Sequence, residues 1–184
     1  MSNILKIAIT GPESTGKSLM AQQLADYYAT VWVPEYARIH LLNLERPYNY
    51  TDILEIAQKQ KTSEKIFETL AKKILFADTE LLVTKIWCDI KYKNCHSWII
   101  DELRKQDYDL YLLMDVDLPW KYDPLREHPD RRKYLFDYYK DELRKHNFNY
   151  RIVSGLNENR FNNALRFVEE IKNNKITKYS VKSR

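Results

Sequence analysis

One eight-residue stretch carries the clearest chemical pattern in the chain. Residues 11–18 match G-x-x-x-x-G-K-[ST] between a predicted strand and a predicted helix. In this pattern backbone N–H groups point at phosphate oxygens, Lys17 brings a positive charge to the β- and γ-phosphates, and the Ser18 hydroxyl is a ligand for Mg²⁺. The stretch therefore predicts a site for ATP with Mg²⁺. The predicted phosphate-binding residues are Gly11, Glu13, Ser14, Thr15, Gly16, Lys17, Ser18 and Leu19.

Two carboxylates follow two other predicted strands, at the edge where parallel sheets bind ligands. Glu35 lies where an enzyme that phosphorylates an alcohol needs a base, although an acid in the first turn of a helix is the structural alternative. Asp78 resembles an acid that holds Mg²⁺ together with Ser18; the alternative is an Asp or Thr helix cap. The two acids could exchange the role of base.

A charged segment of about residues 116–132, called the lid below, follows the fourth predicted strand. It mixes prolines, aromatic residues and arginines, which fits a mobile loop that closes over transferred phosphate and excludes water. A solvated charged loop is the alternative. The candidate catalytic residues are then Lys17, Glu35, Asp78, Arg126, Arg131 and Arg132, and the candidate substrate-binding residues are Glu35, Arg38, Asp78 and Trp120.

The composition excludes several classes of protein. The 184 residues are 44% hydrophobic and 30% charged, which indicates a single globular domain over 1–184 and excludes a disordered chain. A net charge of +4 permits a small anionic substrate but makes a nucleic-acid partner unexpected. No apolar run approaches the ~20 residues of a membrane span. The start lacks a signal-peptide pattern, and Cys88 and Cys95 lack disulfide or metal spacing, which favours the cytoplasm. The sequence is compatible with a homo-oligomer.

Short apolar segments alternate with segments of helical periodicity along the whole chain. This alternation predicts an α/β fold with a five-stranded parallel sheet covered by helices on both faces. From residue 172 the basic tail, 172–184, predicts a frayed, solvated end. The predicted strands cover 4–10, 30–33, 74–77, 110–114 and 150–153. The predicted helices cover about 18–28, 35–44, 51–72, 82–90, 98–106, 135–143 and 161–171.

Taken together, these segments resemble the nicotinamide riboside kinase domain of the NadR family, P-loop kinases of NAD salvage. The matching segments are GPESTGKS at 11–18, VPEYAR at 33–38, Asp78-Thr79, and the lid segments at 117–120, 123–126 and 129–132. The resemblance implies a three-layer P-loop kinase fold with strand order 2-3-1-4-5. It also implies transfer of phosphate from Mg²⁺-ATP to nicotinamide riboside, which yields nicotinamide mononucleotide. Because a strand is predicted from Ile4, we expect a kinase domain that stands alone.

Three functions are compatible with the motifs. The leading hypothesis is a small-molecule kinase that acts on a ribosyl 5′-hydroxyl; an isolated relative of the family could also act on another nucleoside. A regulatory ATP-binding protein would need a water-positioning residue and a partner surface, and the sequence marks neither. A nucleic-acid-dependent ATPase is suggested only by the basic tail.

Overall fold

A parallel β-sheet forms the middle layer of the structure. The computed structural model describes the backbone of residues 4–182 and the side chains of residues 4–174. Within these residues the sheet has five strands in the order β2-β3-β1-β4-β5, and all neighbours are parallel. The predicted α/β class and the order 2-3-1-4-5 are therefore confirmed. The strands are β1 (Leu5–Thr10), β2 (Trp32–Val33), β3 (Ile74–Asp78), β4 (Leu110–Met114) and β5 (Tyr150–Val153).

Helices connect the strands, as parallel pairing requires. The predicted helices are all present, and several begin or end a few residues from the predicted positions. They are α1 (Lys17–Tyr27), α2 (Tyr36–Leu42), α3 (Tyr50–Leu70), α4 (Leu81–Tyr92), α5 (Ser97–Arg104), α6 (Arg132–Lys145) and α7 (Asn157–Lys182); a 3₁₀ helix, Pro129–Arg131, precedes α6.

Alternate residues of the central strand pack into two separate cores. Ile7 and Ile9 of β1 lie in a core that α1 and α7 cover, whereas Ala8 lies in the core under α3, α4, α5 and α6. All three side chains are fully buried. Successive side chains of a strand point to opposite faces, so a strand buried on both sides is apolar throughout. The three-layer arrangement follows from this burial.

Strand β2 is shorter than predicted, because the chain at Thr30 attaches to β3 through a side chain. Thr30 Oγ1 donates to the Ile74 carbonyl oxygen at 2.8 Å and accepts from the Lys72 N–H at 3.3 Å. Only Trp32 and Val33 pair through the backbone. Pro34 follows directly and has no N–H with which to continue the pairing.

The register brings the carboxyl ends of the central strands to one edge. Ile9 of β1 pairs with Asp78 of β3, and Thr10 pairs with Leu113 of β4. The residues that follow these strands therefore lie side by side, at the edge where sheets of this type bind ligands.

The last helix is longer than predicted. The sequence predicted a frayed end from Lys172, but the α7 backbone is helical through Lys182. Side chains from residue 175 onward lie outside the described residues. None of the helices within residues 4–182 is both long and apolar enough to cross a membrane.

Candidate active site

The phosphate loop, residues 11–18, enters and leaves through two glycines in left-handed backbone conformations. Gly11 has a φ of 127°, and a Cβ there would lie 3.0 Å from the carbonyl oxygen of Met114. Gly16 has a φ of 79° and occupies the N-cap position of α1. Glycine is favoured at both positions because it has no Cβ to clash with backbone. The loop can therefore lie directly against the end of β4.

The first turn of α1 presents backbone N–H groups that could bind an anion. Gly16 has no side chain to cap them, and no acid occupies the first turn. First-turn N–H groups have no acceptor inside the helix and favour negative charge. At the same end, Lys17 Nζ donates to the Pro12 carbonyl oxygen at 2.8 Å, and Thr15 Oγ1 donates to the same oxygen at 2.7 Å. The charged end of the Lys17 side chain therefore reaches across the loop to Pro12.

Asp78 places a buried carboxylate beside this loop. Its side chain is 1% exposed and is hydrogen-bonded with Ser18, and its Oδ1 has no hydrogen-bond partner within the described part of the chain. Burial and the charge of Glu35 raise the pKa of Asp78 to about 7, while Lys17 and the Ser18 hydrogen bond act to lower it. A hydroxyl and an unpaired carboxylate oxygen are oxygen donors of the kind that Mg²⁺ prefers. The structure brings the two predicted metal-binding residues together.

Asp78 is not used as a helix cap. The N-cap of α4 is Glu80, whose side chain accepts the Leu82 N–H at 2.6 Å and the Thr10 hydroxyl at 3.1 Å. The chain reaches this position through Thr79, which has a positive φ of 66°. A β-branched residue in that conformation is strained. Because Glu80 caps α4, the Asp78 carboxylate is not used as the cap. The alternative that Asp78 or Thr79 caps this helix is therefore wrong.

Glu35 lines the cavity at the start of α2, and its charge acts on Asp78. Gln60 of α3 holds the two segments together: its Oε1 accepts the Tyr36 N–H at 2.8 Å, and its Nε2 donates to the Thr79 carbonyl oxygen at 3.4 Å. Gln60 is 4% exposed. Sequence reasoning missed it, because a glutamine inside a long helix carries no local signal of such a contact.

A cavity of about 1450 Å³ opens along the carboxyl edge of the sheet. The whole phosphate loop lines it. Leu19, Leu156 and Phe161 also line it, and Phe161 packs against the core that α1 and α7 cover. On the other face of the sheet, Tyr48, Val83, Trp87 and Ile90 pack against the second core and line the cavity. The remaining lining residues named here are Glu35, Arg38, Leu41, Ile86, Leu135 and Tyr139. The cavity therefore takes its lining from both faces of the sheet.

The lid is docked onto the phosphate loop by polar contacts. Ser14 Oγ accepts the Lys121 N–H at 2.9 Å and a hydrogen bond from Arg126 Nη1 at 3.4 Å. Arg132 Nη1 donates to the Ser14 carbonyl oxygen at 3.2 Å and to the Leu118 carbonyl oxygen at 2.8 Å. Two of the three predicted lid arginines are therefore held at the loop.

Arg131 and Trp120 lie elsewhere. Arg131 is exposed, and its guanidinium lies 5.0 Å from the ring centre of Tyr134. Trp120 lies near the guanidinium groups of Arg126 and Arg132, at 5.9 and 5.7 Å from its ring centre. Neither Arg131 nor Trp120 is among the residues that line the cavity.

Residues beside the aromatic part of the cavity lining make polar contacts with the lid. Tyr48 accepts from Trp87 Nε1 at 2.9 Å and donates to Glu127 at 2.7 Å, and Lys91 pairs with Glu127 at 3.1 Å. Nearby, Arg38 pairs with the lid residue Asp123 at 2.8 Å. The Tyr48 and Trp87 rings meet edge to face, with centres 4.9 Å apart and planes at 67°, and these charged groups lie beside them.

A buried arginine that sequence reasoning missed ties the loop to the ends of two strands. Arg160 of α7 is 5% exposed, and its Nη2 donates to the carbonyl oxygens of Thr15 at 3.0 Å and Asp115 at 2.9 Å. Its Nη1 bonds Asp117 and the Gly155 carbonyl oxygen. The sequence separation, 145 residues to Thr15, left no local pattern to find.

The sheet order, the phosphate loop and the acid that ends the adjacent strand are those of a P-loop kinase fold. Residues 6–160 match the family described as an AAA domain, and the chain belongs to that family.

The resemblance to the NadR proteins is confirmed by comparison. Over 127 residues, 65% of this chain, it is 32% identical to the trifunctional NAD biosynthesis/regulator protein NadR of Salmonella typhimurium and to that of Escherichia coli. The chain spans about 30% of the length of these relatives. A NadR crystal structure in complex with NR aligns over 91% of the chain and 49% of its own, at 18% identity and a TM-score of 0.71. A deoxyadenosine kinase from M. mycoides aligns over 90% and 99%, at 13% identity and a TM-score of 0.65.

Proposed function

We propose that this protein is a kinase that transfers the γ-phosphoryl group of ATP to the ribosyl 5′-hydroxyl of nicotinamide riboside, with nicotinamide mononucleotide as product. The observation that carries the proposal is the cluster of Lys17, Ser18 and Glu35, which line the cavity, around the buried carboxylate of Asp78. The similarity to NadR proteins, including NadR structures solved with NR and with NAD and AMP-PNP, supports the choice of substrates.

The apolar side chains of Leu19, Leu156 and Phe161 line the cavity and would contact the base of ATP, because Leu19 in α1 directly follows the phosphate loop. The triphosphate then reaches the loop, where the N–H groups of the first turn and Lys17 neutralise its charge. Lys17 exchanges the Pro12 carbonyl oxygen for phosphate oxygens. When bound, Mg²⁺ neutralises charge on the β- and γ-phosphates, and Ser18 and Asp78 would hold it.

Transfer consists of one bond made and one bond broken. The ribose 5′-oxygen attacks the γ-phosphorus, the bond from that phosphorus to the β–γ bridging oxygen breaks, and ADP leaves. Glu35 accepts the hydroxyl proton, because it lines the cavity, whereas Asp78 is buried and is not among the lining residues. Arg126, held at the phosphate loop, stabilises the negative charge on the moving group.

The aromatic residues Trp87 and Tyr48 of the cavity lining suit a flat base on a ribose, and Arg38 and Asp123 offer polar groups for hydroxyls. Because Glu127 is paired with Lys91 and Asp123 with Arg38, the choice of a pyridinium base rests on the similarity to the NadR proteins.

The test is a panel of nucleosides with Mg²⁺-ATP: nicotinamide riboside, cytidine, uridine and deoxynucleosides, with ADP and phosphorylated nucleoside both measured. We expect nicotinamide riboside to give the highest kcat/KM, with one nicotinamide mononucleotide formed per ADP. The Lys17→Ala variant is the matched control, since it keeps the fold and loses transfer. A deoxynucleoside preferred over nicotinamide riboside would contradict the proposed substrate, and ADP release without any phosphorylated acceptor would contradict a kinase altogether.

A further inference from the structure

We propose that Glu13 is a positioning residue for the lid: its carboxylate holds the backbone at Glu127 and His128 and so keeps Arg126 over the phosphate loop. The proposal rests on the proposed phosphotransfer for its kinetic consequence, whereas the contacts can be tested on the protein without substrates.

Two backbone N–H groups of the lid donate to this one carboxylate. Glu13 Oε1 accepts from His128 at 2.7 Å, and Oε2 accepts from Glu127 at 3.0 Å. These N–H groups directly precede the 3₁₀ helix Pro129–Arg131 and α6, whose N-cap positions supply no capping side chain within the described part of the chain. Glu13 of the phosphate loop therefore accepts hydrogen bonds from the backbone where the lid leads into these helices, although it lies more than 100 residues earlier in the chain.

A carboxylate is an unfavourable choice for this position unless it has another task. Phosphate binding by such a loop uses backbone N–H groups, and a negative side chain next to a triphosphate repels it. Burial raises the pKa of Glu13, while the hydrogen bonds from His128 and Glu127 and the charge of Lys17 oppose that rise. The groups that stabilise the charged form are thus mainly those of the lid.

The position of Arg126 depends on this contact. It is the residue before Glu127, and its Nη1 bonds the Ser14 hydroxyl and the Lys121 carbonyl oxygen. Glu13 and Ser14 are consecutive, so one short stretch of the phosphate loop holds the lid backbone on both sides of Arg126. Loss of the Glu13 contact frees the lid backbone that directly follows Arg126. This backbone sets the direction in which the Arg126 side chain points.

The structural test measures amide hydrogen exchange of lid peptides without nucleotide or nucleoside. In Glu13→Ala we expect exchange at residues 127 and 128 to accelerate about 10–100-fold, which corresponds to loss of a hydrogen bond to a charged acceptor. Glu13→Gln keeps one acceptor oxygen and should fall between Glu13→Ala and the original protein. The control is Asp130→Ala, which removes an exposed acid of the same lid.

The kinetic test separates positioning from phosphate binding. We expect Glu13→Ala to lower kcat about 10–100-fold, as for a misplaced catalytic group, with little change in KM for ATP or nucleoside. Unchanged exchange in Glu13→Ala, or equal acceleration in Asp130→Ala, would overturn the proposal. A raised KM for ATP at unchanged kcat would also overturn it. If the original protein phosphorylates no nucleoside, the proposed function fails, and the exchange comparison still decides the role of Glu13.

Discussion

Replacement of Asp78 by asparagine should stabilise the protein while it abolishes phosphotransfer. The carboxylate is 1% exposed, one of its oxygens has no hydrogen-bond partner within the described residues, and Glu35 adds repulsion. An isosteric amide removes the buried charge and keeps the shape. A residue kept at the expense of stability is expected where function requires a charge.

The magnitude follows from the pKa of Asp78, which rises from 3.8 in the unfolded chain to about 7 in the folded one. Between these values the folded chain binds a proton that the unfolded chain does not, so the free energy of unfolding falls as the pH rises and becomes constant above about pH 7. The stability advantage of Asp78→Asn should therefore grow from roughly 2 kcal/mol at about pH 5 to roughly 4 kcal/mol at about pH 8.

Urea unfolding of both proteins at these two pH values measures the difference, with Asp26→Asn, an exposed acid on α1, as the matched control. Glu80, whose pKa burial also raises to about 7, is present in both proteins and cancels. Mg²⁺-ATP should stabilise the original protein at about pH 8 and stabilise the variant much less. An advantage that does not change with pH would refute the assignment of an unpaired buried charge to Asp78.

The remaining predictions concern the other groups around the phosphate. Glu35→Gln should lower kcat about 10²–10⁴-fold with ATP affinity unchanged, since it removes a general base; a rise in nucleoside KM alone would instead make Glu35 a binding residue. Arg126→Ala should lower kcat, whereas Arg131→Ala should not, because Arg131 is exposed and lies against Tyr134; equal effects in steady-state kinetics would contradict this difference. Arg160→Met should reduce the free energy of unfolding by about 3–5 kcal/mol in urea, because it removes the cation paired with Asp117 and the side-chain donor to three carbonyl oxygens; a loss below about 1 kcal/mol would contradict a structural role.

The parts of the site that could be predicted are those that a short, contiguous sequence pattern identifies. The phosphate loop is contiguous, and Asp78 follows an apolar run that can only be a buried strand, so both positions followed from pattern and period. Parallel strands then carried them to one edge of the sheet. The lid was also recognisable, since its prolines and charges interrupt the apolar periodicity between β4 and α6.

The lid arginines show where pattern fails. Arg131 and Arg132 are adjacent in sequence, but Arg131 ends the 3₁₀ helix and Arg132 begins α6. The Arg132 side chain donates to Ser14, whereas the exposed Arg131 side chain lies against the Tyr134 ring. No feature of the dipeptide determines which residue begins the helix, and the choice follows from tertiary contacts such as that of Arg132 with Leu118.

The supporting residues were beyond prediction for a related reason. Gln60 and Arg160 donate to backbone carbonyl oxygens of distant segments, and Glu80 accepts the hydroxyl of Thr10 in β1. Such contacts depend on the directions in which polar groups point after folding, and a sequence pattern does not specify these directions. The apparent helix cap at Asp78-Thr79 illustrates this, because the true cap, Glu80, is a residue type that rarely caps helices.

These supporting contacts explain how an unspecific motif becomes a formed site. Three carbonyl oxygens of the phosphate loop accept hydrogen bonds from cationic side chains: that of Pro12 from Lys17, that of Ser14 from Arg132 and that of Thr15 from Arg160. In a planar trans peptide the N–H points opposite to the C=O, so each contact turns an N–H away from the cation. In the proposed mechanism Lys17 moves from the Pro12 carbonyl oxygen to the phosphates when they bind. Arg160 is buried and also bonds other acceptors, so it holds the Thr15 carbonyl oxygen in place when Lys17 moves. The motif thus supplies the donors, and an arginine from the last helix maintains the direction in which they point.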